Sequence, residues 1–345
     1  MRSSTSSSEP SVPAGQWGRT WALAAVLAVL GIGAQEMAWR KLGYQPTIQD
    51  DVATWAMARS SVYRGGQESI VVIGSSRILL GCDLDAFAEV FGGPKPVQLA
   101  LDGKSPLLIL EDLGSDDTFR GLVLCSLTPK IFFSDDPAAH GVPAERVEAY
   151  RSMTPVAGIE LRLRHRARER LTLLRAECST RSLLRGLLIG KWSDVRYIRM
   201  RPDRWMMADY AALDMQKEMA AREERTRQSF LTARPVDMPE LRRRVRAAVS
   251  AIQGRGGQVV FVRLPSSGKV LELEQEKFPR AGYWDAFAAG VPAPTIHFQD
   301  YPELAGFECP EGSHLDYRDA TPFTKALARI LKGVLDRARP EESGG

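Results

Sequence analysis

Two clusters of polar residues combine types that do chemistry together. The first is Gly74-Ser75-Ser76-Arg77, directly after the apolar run IVVI. The second is Glu311-Gly-Ser-His314, in a polar stretch near the C-terminal end. A serine hydroxyl becomes a usable nucleophile when an imidazole takes its proton and a carboxylate holds that imidazole in the correct tautomer. A carboxylate three residues before a histidine reaches the far ring nitrogen within one tight turn, so Glu311 and His314 are able to form such a couple unaided. Asp316, just after the histidine, is a substitute orienter. The serines also have a plainer use, capping the helix that follows, and one of them is able to cap while the other reacts. Arg77 and Arg263 are weak candidates for substrate binding, and the alternative for Arg77 is an ion pair with Asp83 or Asp85. His297 and Asp300 read as satisfying local hydrogen bonds, and the cluster Tyr283 to Phe287 reads as core.

These groups meet only if the elements between them bring them together. Continuous apolar runs at 70–73, 97–101, 121–127 and 257–265 alternate with helical segments at 83–91 and 107–113. That rhythm predicts an α/β fold with a mainly parallel sheet covered on both faces. Strand-to-helix turns at the carboxyl ends of such sheets are where ligands collect, and Ser76 sits in the first of them. Residues 142–235 break the pattern with long Arg-rich helices and read as a helical insertion or cap. The expected organisation is a disordered tail (1–16), a transmembrane anchor (17–40), a first part of the α/β domain (43–141), the insertion (142–235), a second part (236–337) and a tail (338–345).

The anchor rests on an uncharged run from Thr20 to Gln35, itself shorter than the roughly 20 residues a span needs. Trp17, Trp21 and Trp39 flank it as interfacial aromatics do, and Arg19 and Arg40 are placed to snorkel. A cleaved signal competes, but no small-x-small site follows; an amphipathic surface helix competes less well, because the run is apolar all round. Positive charge on both sides leaves the orientation open. In the whole chain of 345 residues, a net charge of only +4 argues against a dedicated nucleic-acid binder. Four cysteines (Cys82, Cys125, Cys178, Cys309) and four histidines are scattered without metal-ligand spacing, so neither a metal nor another cofactor is expected. Cys309 is either a disulfide partner or packing.

The blocks "IVVIGSSR", "LALDGKSP" and "PEGSHLDYRDATPFTKAL" resemble the SGNH (GDSL-like) hydrolase superfamily, most of all its membrane-anchored, DltD-like or alginate-acetylation-like branches. The resemblance covers about residues 68–135 and 256–335. It implies a flavodoxin-like three-layer α/β/α sandwich with Ser76 as nucleophile. It further implies the N–H groups of Ser76 and Gly103 as oxyanion donors, His314 as base and Glu311 in place of the usual Asp. The superfamily's oxyanion Asn has no counterpart in "LVLCSLTPKIFF"; Ser126 or Thr128 stands nearest. The implied function is a membrane-anchored serine esterase or O-acyltransferase acting on a cell-envelope glycan or lipid. Its globular domain would be extracytoplasmic, with the lipid bilayer and a membrane-bound acyltransferase as partners. The alternative is a catalytically inactive binding or assembly protein of an envelope polysaccharide system.

Overall fold

The N-terminal apolar run is the middle of one continuous helix, α1 (Trp17–Lys41), in a structure, a computed structural model, that describes residues 17–190, 192 and 197–338. Flanking polar residues extend the helix past both ends of the uncharged run. Its 25 residues rise about 37 Å, long and apolar enough to cross a membrane. The expected tails lie outside the described residues, except that Ala338 is the last residue of the terminal helix.

After α1 the chain forms α2 (Val52–Ser60), capped by Asp51 through the Thr54 N–H at 2.8 Å. The sheet then begins with β1 (Ile70–Ile73), followed by α3 (Ser76–Gly81), α4 (Leu84–Phe91), β2 (Val97–Gln98), α5 (Leu107–Ser115), β3 (Leu122–Ser126) and α6 (Pro129–Phe132). Only two residues of the 97–101 run form a regular strand. Leu99 and Leu101 still donate to Val72 and Gly74 at 2.8 and 3.0 Å, so the segment follows β1 without completing a ladder. Next come α7 (Pro137–Arg151), α8 (Pro155–Arg168), α9 (Thr180–Ile189), a hairpin of β4 (Ile198–Met200) and β5 (Met206–Ala208), and α10 (Met215–Leu231). The chain closes with α11 (Met238–Gly254), β6 (Gln258–Arg263), α12 (Gly268–Lys277), α13 (Ala286–Ala288), β7 (Thr295–His297), α14 (Pro302–Ala305) and α15 (Tyr317–Ala338).

All pairings in the five-stranded sheet are parallel, in the order β2-β1-β3-β6-β7. Because successive strand side chains point to opposite faces, each strand serves two cores. Ile70, Val72, Leu122, Leu124, Val260 and Val262 face one side, where Leu79 (α3), Phe87 (α4), Phe323 and Leu327 (α15) cover them. Val71, Ile73, Val123, Cys125, Val259 and Phe261 face the other, against Ile109 and Leu113 (α5) and Val245 and Val249 (α11). Continuous apolar strands are what two-sided burial demands. Residues 142–235 do not simply stand off this body. Met200, Trp205, Ala208 and Tyr210, from the hairpin and the turn after it, join the first core, and Trp205 donates to the Leu80 carbonyl at 2.9 Å. Trp284 and Phe287 are buried in the second core, as the YWDAF cluster was read.

Candidate active site

The strand order reverses between β1 and β3, which are parallel neighbours and so end at the same rim. There β1 gives way to Gly74, where an added Cβ would lie 2.6 Å from Ile78 Cγ2 and 2.8 Å from Ser126 Cβ. Only a residue without a side chain lets the end of β1 press against the end of β3. Ser76 follows as the first residue of α3.

The histidine arrives from the far end of the chain. The loop Cys309–His314 is sewn to the turn after β6. Cys309 N–H donates to Ser267 Oγ at 2.9 Å, Ser267 N–H to the Gly312 carbonyl at 2.9 Å, and Gly312 N–H to the Cys309 carbonyl at 2.8 Å. Gly312 adopts φ +87°, a left-handed turn that costs glycine little and folds Glu311 back beneath His314. The result is a linear relay. Ser76 Oγ lies 2.8 Å from His314 Nε2, and His314 Nδ1 is hydrogen-bonded to Glu311 Oε1. A carboxylate at Nδ1 keeps the proton on that nitrogen, leaving the Nε2 lone pair to accept from the serine. Glu311 is 3% exposed and Ser76 9%, so the relay operates largely out of water.

One group beside it is not legible in the sequence, and the expected neighbours take particular places. Tyr210, 101 positions from Glu311, donates its hydroxyl to Glu311 Oε1 at 3.2 Å; nothing local marks it. Ser75 stands at the N-cap position but does not cap: its hydroxyl is 2.6 Å from Thr128 Oγ1. That engages Thr128, whereas Ser126 Oγ, also buried, has no partner among the described residues. Gly103 lies in a turn at φ +64°, two residues beyond Leu101, whose N–H bonds Gly74.

Both candidate arginines are buried and turned to one carboxylate. Arg77 pairs with neither Asp83 nor Asp85; its guanidinium grips Glu274 from α12 at 2.6 and 3.2 Å. Arg263 reaches the same carboxylate at 2.9 Å and Ser266 Oγ donates to it at 2.8 Å. All three charged side chains are buried. Two cations turned in from the rim of the sheet need an internal counter-ion, and α12 supplies one too far along the chain for spacing to betray. Burial opposes the charge on Glu274, yet the two guanidiniums hold its carboxyl below the ordinary range. The same cluster touches the relay's flank, because Arg77 Nε donates to Ser313 Oγ at 3.4 Å. One residue from the nucleophile is thereby tied to one residue from the histidine.

The substitute orienter has other work. Asp316 accepts from the Tyr210 N–H and Arg318 N–H, both at 2.9 Å, and closes the first turn of α15. His297 Nδ1 accepts from the Gln299 N–H at 3.2 Å, and burial together with Arg263 and Arg280 pushes its pKa down to about 3. Asp300 is held by Arg280 at 2.7 and 2.8 Å. The four cysteines are free and buried. Cys309 packs with its thiol pushed up to about 12 by burial, which leaves no thiolate at neutral pH. Among the described residues no three His, Cys, Asp or Glu side chains gather as metal ligands would.

A cavity of about 300 Å³ opens beside Glu311 and Gly312, walled by Met219, Val270 and Leu273. A larger hollow of about 590 Å³ lies at the opposite end of β1, by Ser69 and Ile70, and contains none of the relay. The relay thus borders the smaller of these two spaces. No protein-family model matches this chain, and a search of curated proteins finds no significant match.

Proposed function

We propose that this chain is a membrane-anchored serine esterase or O-acyltransferase of SGNH type, acting through an acyl-Ser76 intermediate on a cell-envelope glycan or lipid. The observation that carries the reading is the contact between two residues 238 positions apart, Ser76 Oγ and His314 Nε2 at 2.8 Å, with Glu311 behind the ring. In the acylation step His314 Nε2 takes the Ser76 proton as Oγ attacks an ester carbonyl. The imidazolium then returns that proton to the departing alkoxide. Deacylation repeats the sequence with water, or with an acceptor hydroxyl, as the incoming nucleophile. Glu311 stabilises the imidazolium, and Tyr210 steadies Glu311.

The sheet supports the same reading. In order of appearance its strands lie 2-1-3-4-5, the order of flavodoxin-like doubly wound folds, with Ser76 following the strand at the switch point where such folds bind ligands. The oxyanion would be held by the N–H groups of Ser76 and Gly103. No Asn follows β3; of the two hydroxyls there, Ser126 is the one without a partner among the described residues and so the candidate third donor. A missing donor costs on the order of 2.7–4 kcal/mol in a well-studied protease, slowing such a site without silencing it. Transfer beside a membrane-bound acyl-donor protein, with the domain outside the cytoplasm, follows from the resemblance to anchored branches and is analogy. The absent Asn also favours a second reading, an inactive assembly protein with the same fold.

Fluorophosphonate labelling of the detergent-solubilised chain separates the two. Labelling that disappears in Ser76→Ala and His314→Ala, with unchanged circular dichroism, is expected. A folded wild-type protein that takes up no label would rule out the enzymatic reading and leave the assembly protein.

A further inference from the structure

We propose that α9 is a second membrane contact, an amphipathic foot lying in the lipid interface beside the point where α1 leaves the bilayer. The proposal rests on the reading of α1 as a membrane span.

The last two turns of α1 are gripped by the segment that leads into α9. Glu36 accepts from the Thr172 and Leu173 N–H groups, both at 2.9 Å. Arg40 donates to the Arg170 carbonyl at 2.7 Å. Gln35, where the uncharged run ends, donates to the Cys178 carbonyl at 3.4 Å and accepts from Thr180 Oγ1 at 3.3 Å. Thr180 is the first residue of α9. The helix therefore starts at the level where a spanning α1 would meet headgroups.

Its two faces differ in kind. Leu183 packs inward with Trp39, Tyr44 and Trp192. Gly186 backs directly onto the Trp192 ring, which meets Trp39 edge-on at 6.0 Å. On the other side Leu184, Leu187 and Leu188 form an i, i+3, i+4 stripe, all more than half exposed and Leu188 84% exposed. Arg181 and Arg185, both exposed, border that stripe. Apolar residues on one side with arginines at the edge are the pattern of an interfacial helix that reaches anionic headgroups. In water the stripe is an apolar patch that no other described residue covers; in the interface it has its solvent. A foot and a spanning helix held to each other by hydrogen bonds also prevent the domain from swivelling about its anchor.

The test uses the full-length chain in vesicles of phosphatidylcholine and phosphatidylglycerol, with a nitrobenzoxadiazole probe on single introduced cysteines. The four native thiols are buried and stay unlabelled. Leu187→Cys reports on the foot, Leu27→Cys on α1, and Glu303→Cys on an exposed site of the α/β domain. Lipids brominated at shallow or deep positions quench by contact. Quenching at 187 strongest with shallow bromines, at 27 with deep ones, and absent at 303 is expected. Quenching at 27 but not at 187 overturns the foot while leaving the span. No quenching at 27 overturns the span and, with it, the foot. A probe at 187 that ignores bromines but self-quenches as protein density rises means a second copy covers the stripe, and overturns the proposal.

Discussion

Replacing Glu274 by Gln keeps the shape of the Arg77–Glu274–Arg263 cluster and deletes its only negative charge. Glu274 is 1% exposed and accepts from two guanidiniums and the Ser266 hydroxyl, at 2.6–3.2 Å. Gln retains one acceptor oxygen, so at least one arginine contact becomes a clash between donors. Two buried cations are then left without a counter-charge. Breaking a buried ion pair by removing one partner typically costs about 3–5 kcal/mol, and the shared carboxylate puts this site toward the upper end. With a urea slope of roughly 3 kcal/mol per molar, the midpoint moves down by roughly 1–1.7 M. Urea titration of the detergent-solubilised chain, followed by tryptophan fluorescence, reads that shift. Because Arg77 also reaches Ser313, the rate of fluorophosphonate labelling at Ser76 is expected to fall in the folded variant as well. Replacing all three charges together (Arg77→Met, Glu274→Leu, Arg263→Met) is expected to restore most of the stability, since apolar substitutes for whole buried networks are often neutral or better. A Glu274→Gln midpoint within 0.3 M of wild type (about 1 kcal/mol at that slope) would refute the reasoning, because it would mean that the guanidiniums find water or other partners.

The remaining expectations concern the relay and its supports. Glu311→Gln preserves the contact geometry but no longer fixes the histidine tautomer, so turnover of a chromogenic ester falls by roughly 10²–10⁴; loss under tenfold would mean that Glu311 only packs. Gly74→Ala drives a methyl into Ile78 and Ser126 and is expected to cost about 1–3 kcal/mol as an overpacked site, with slower labelling of Ser76; unchanged midpoint and rate would contradict the close approach of β1 and β3. His297 takes up a proton in the folded chain only near pH 3, but near its ordinary 6.5 in the unfolded chain. The unfolded state thus binds more protons between those values. Stability falls as pH drops from about 6.5 toward 3, by at most about 1.4 kcal/mol per pH unit from this group. His297→Gln should flatten that slope in urea titrations between pH 6.5 and 4.5, and an unchanged slope would assign it to other groups.

How much was legible depended on the range of the interaction. Strands β1, β3 and β6 were readable because burial on both faces requires uninterrupted apolar residues, and that requirement is written into neighbouring positions. The Glu311–His314 couple was readable for the same reason, since three residues and one left-handed glycine suffice to build it. Strand β2 was overestimated because apolar character at 99–101 reports burial, not ladder geometry. For Arg77 the chain offers only a ligand or the nearby Asp83 and Asp85, because proximity along the sequence is the only guide, whereas its partner Glu274 sits on α12. Tyr210 carried no signal at all, and neither did the hold of residues 170–180 on the end of α1.

The order of residues by itself determined which segments must be buried, which one is apolar enough for a bilayer, and that a histidine and a carboxylate would face each other across one turn. Only the tertiary structure decided that Ser76 meets that histidine, that Glu274 gathers two arginines, and that α9 turns an apolar stripe outward beside α1. The difference is physical: short-range geometry follows from backbone dihedrals and spacing, but a contact across 238 positions exists only once the strands have chosen their neighbours in the sheet.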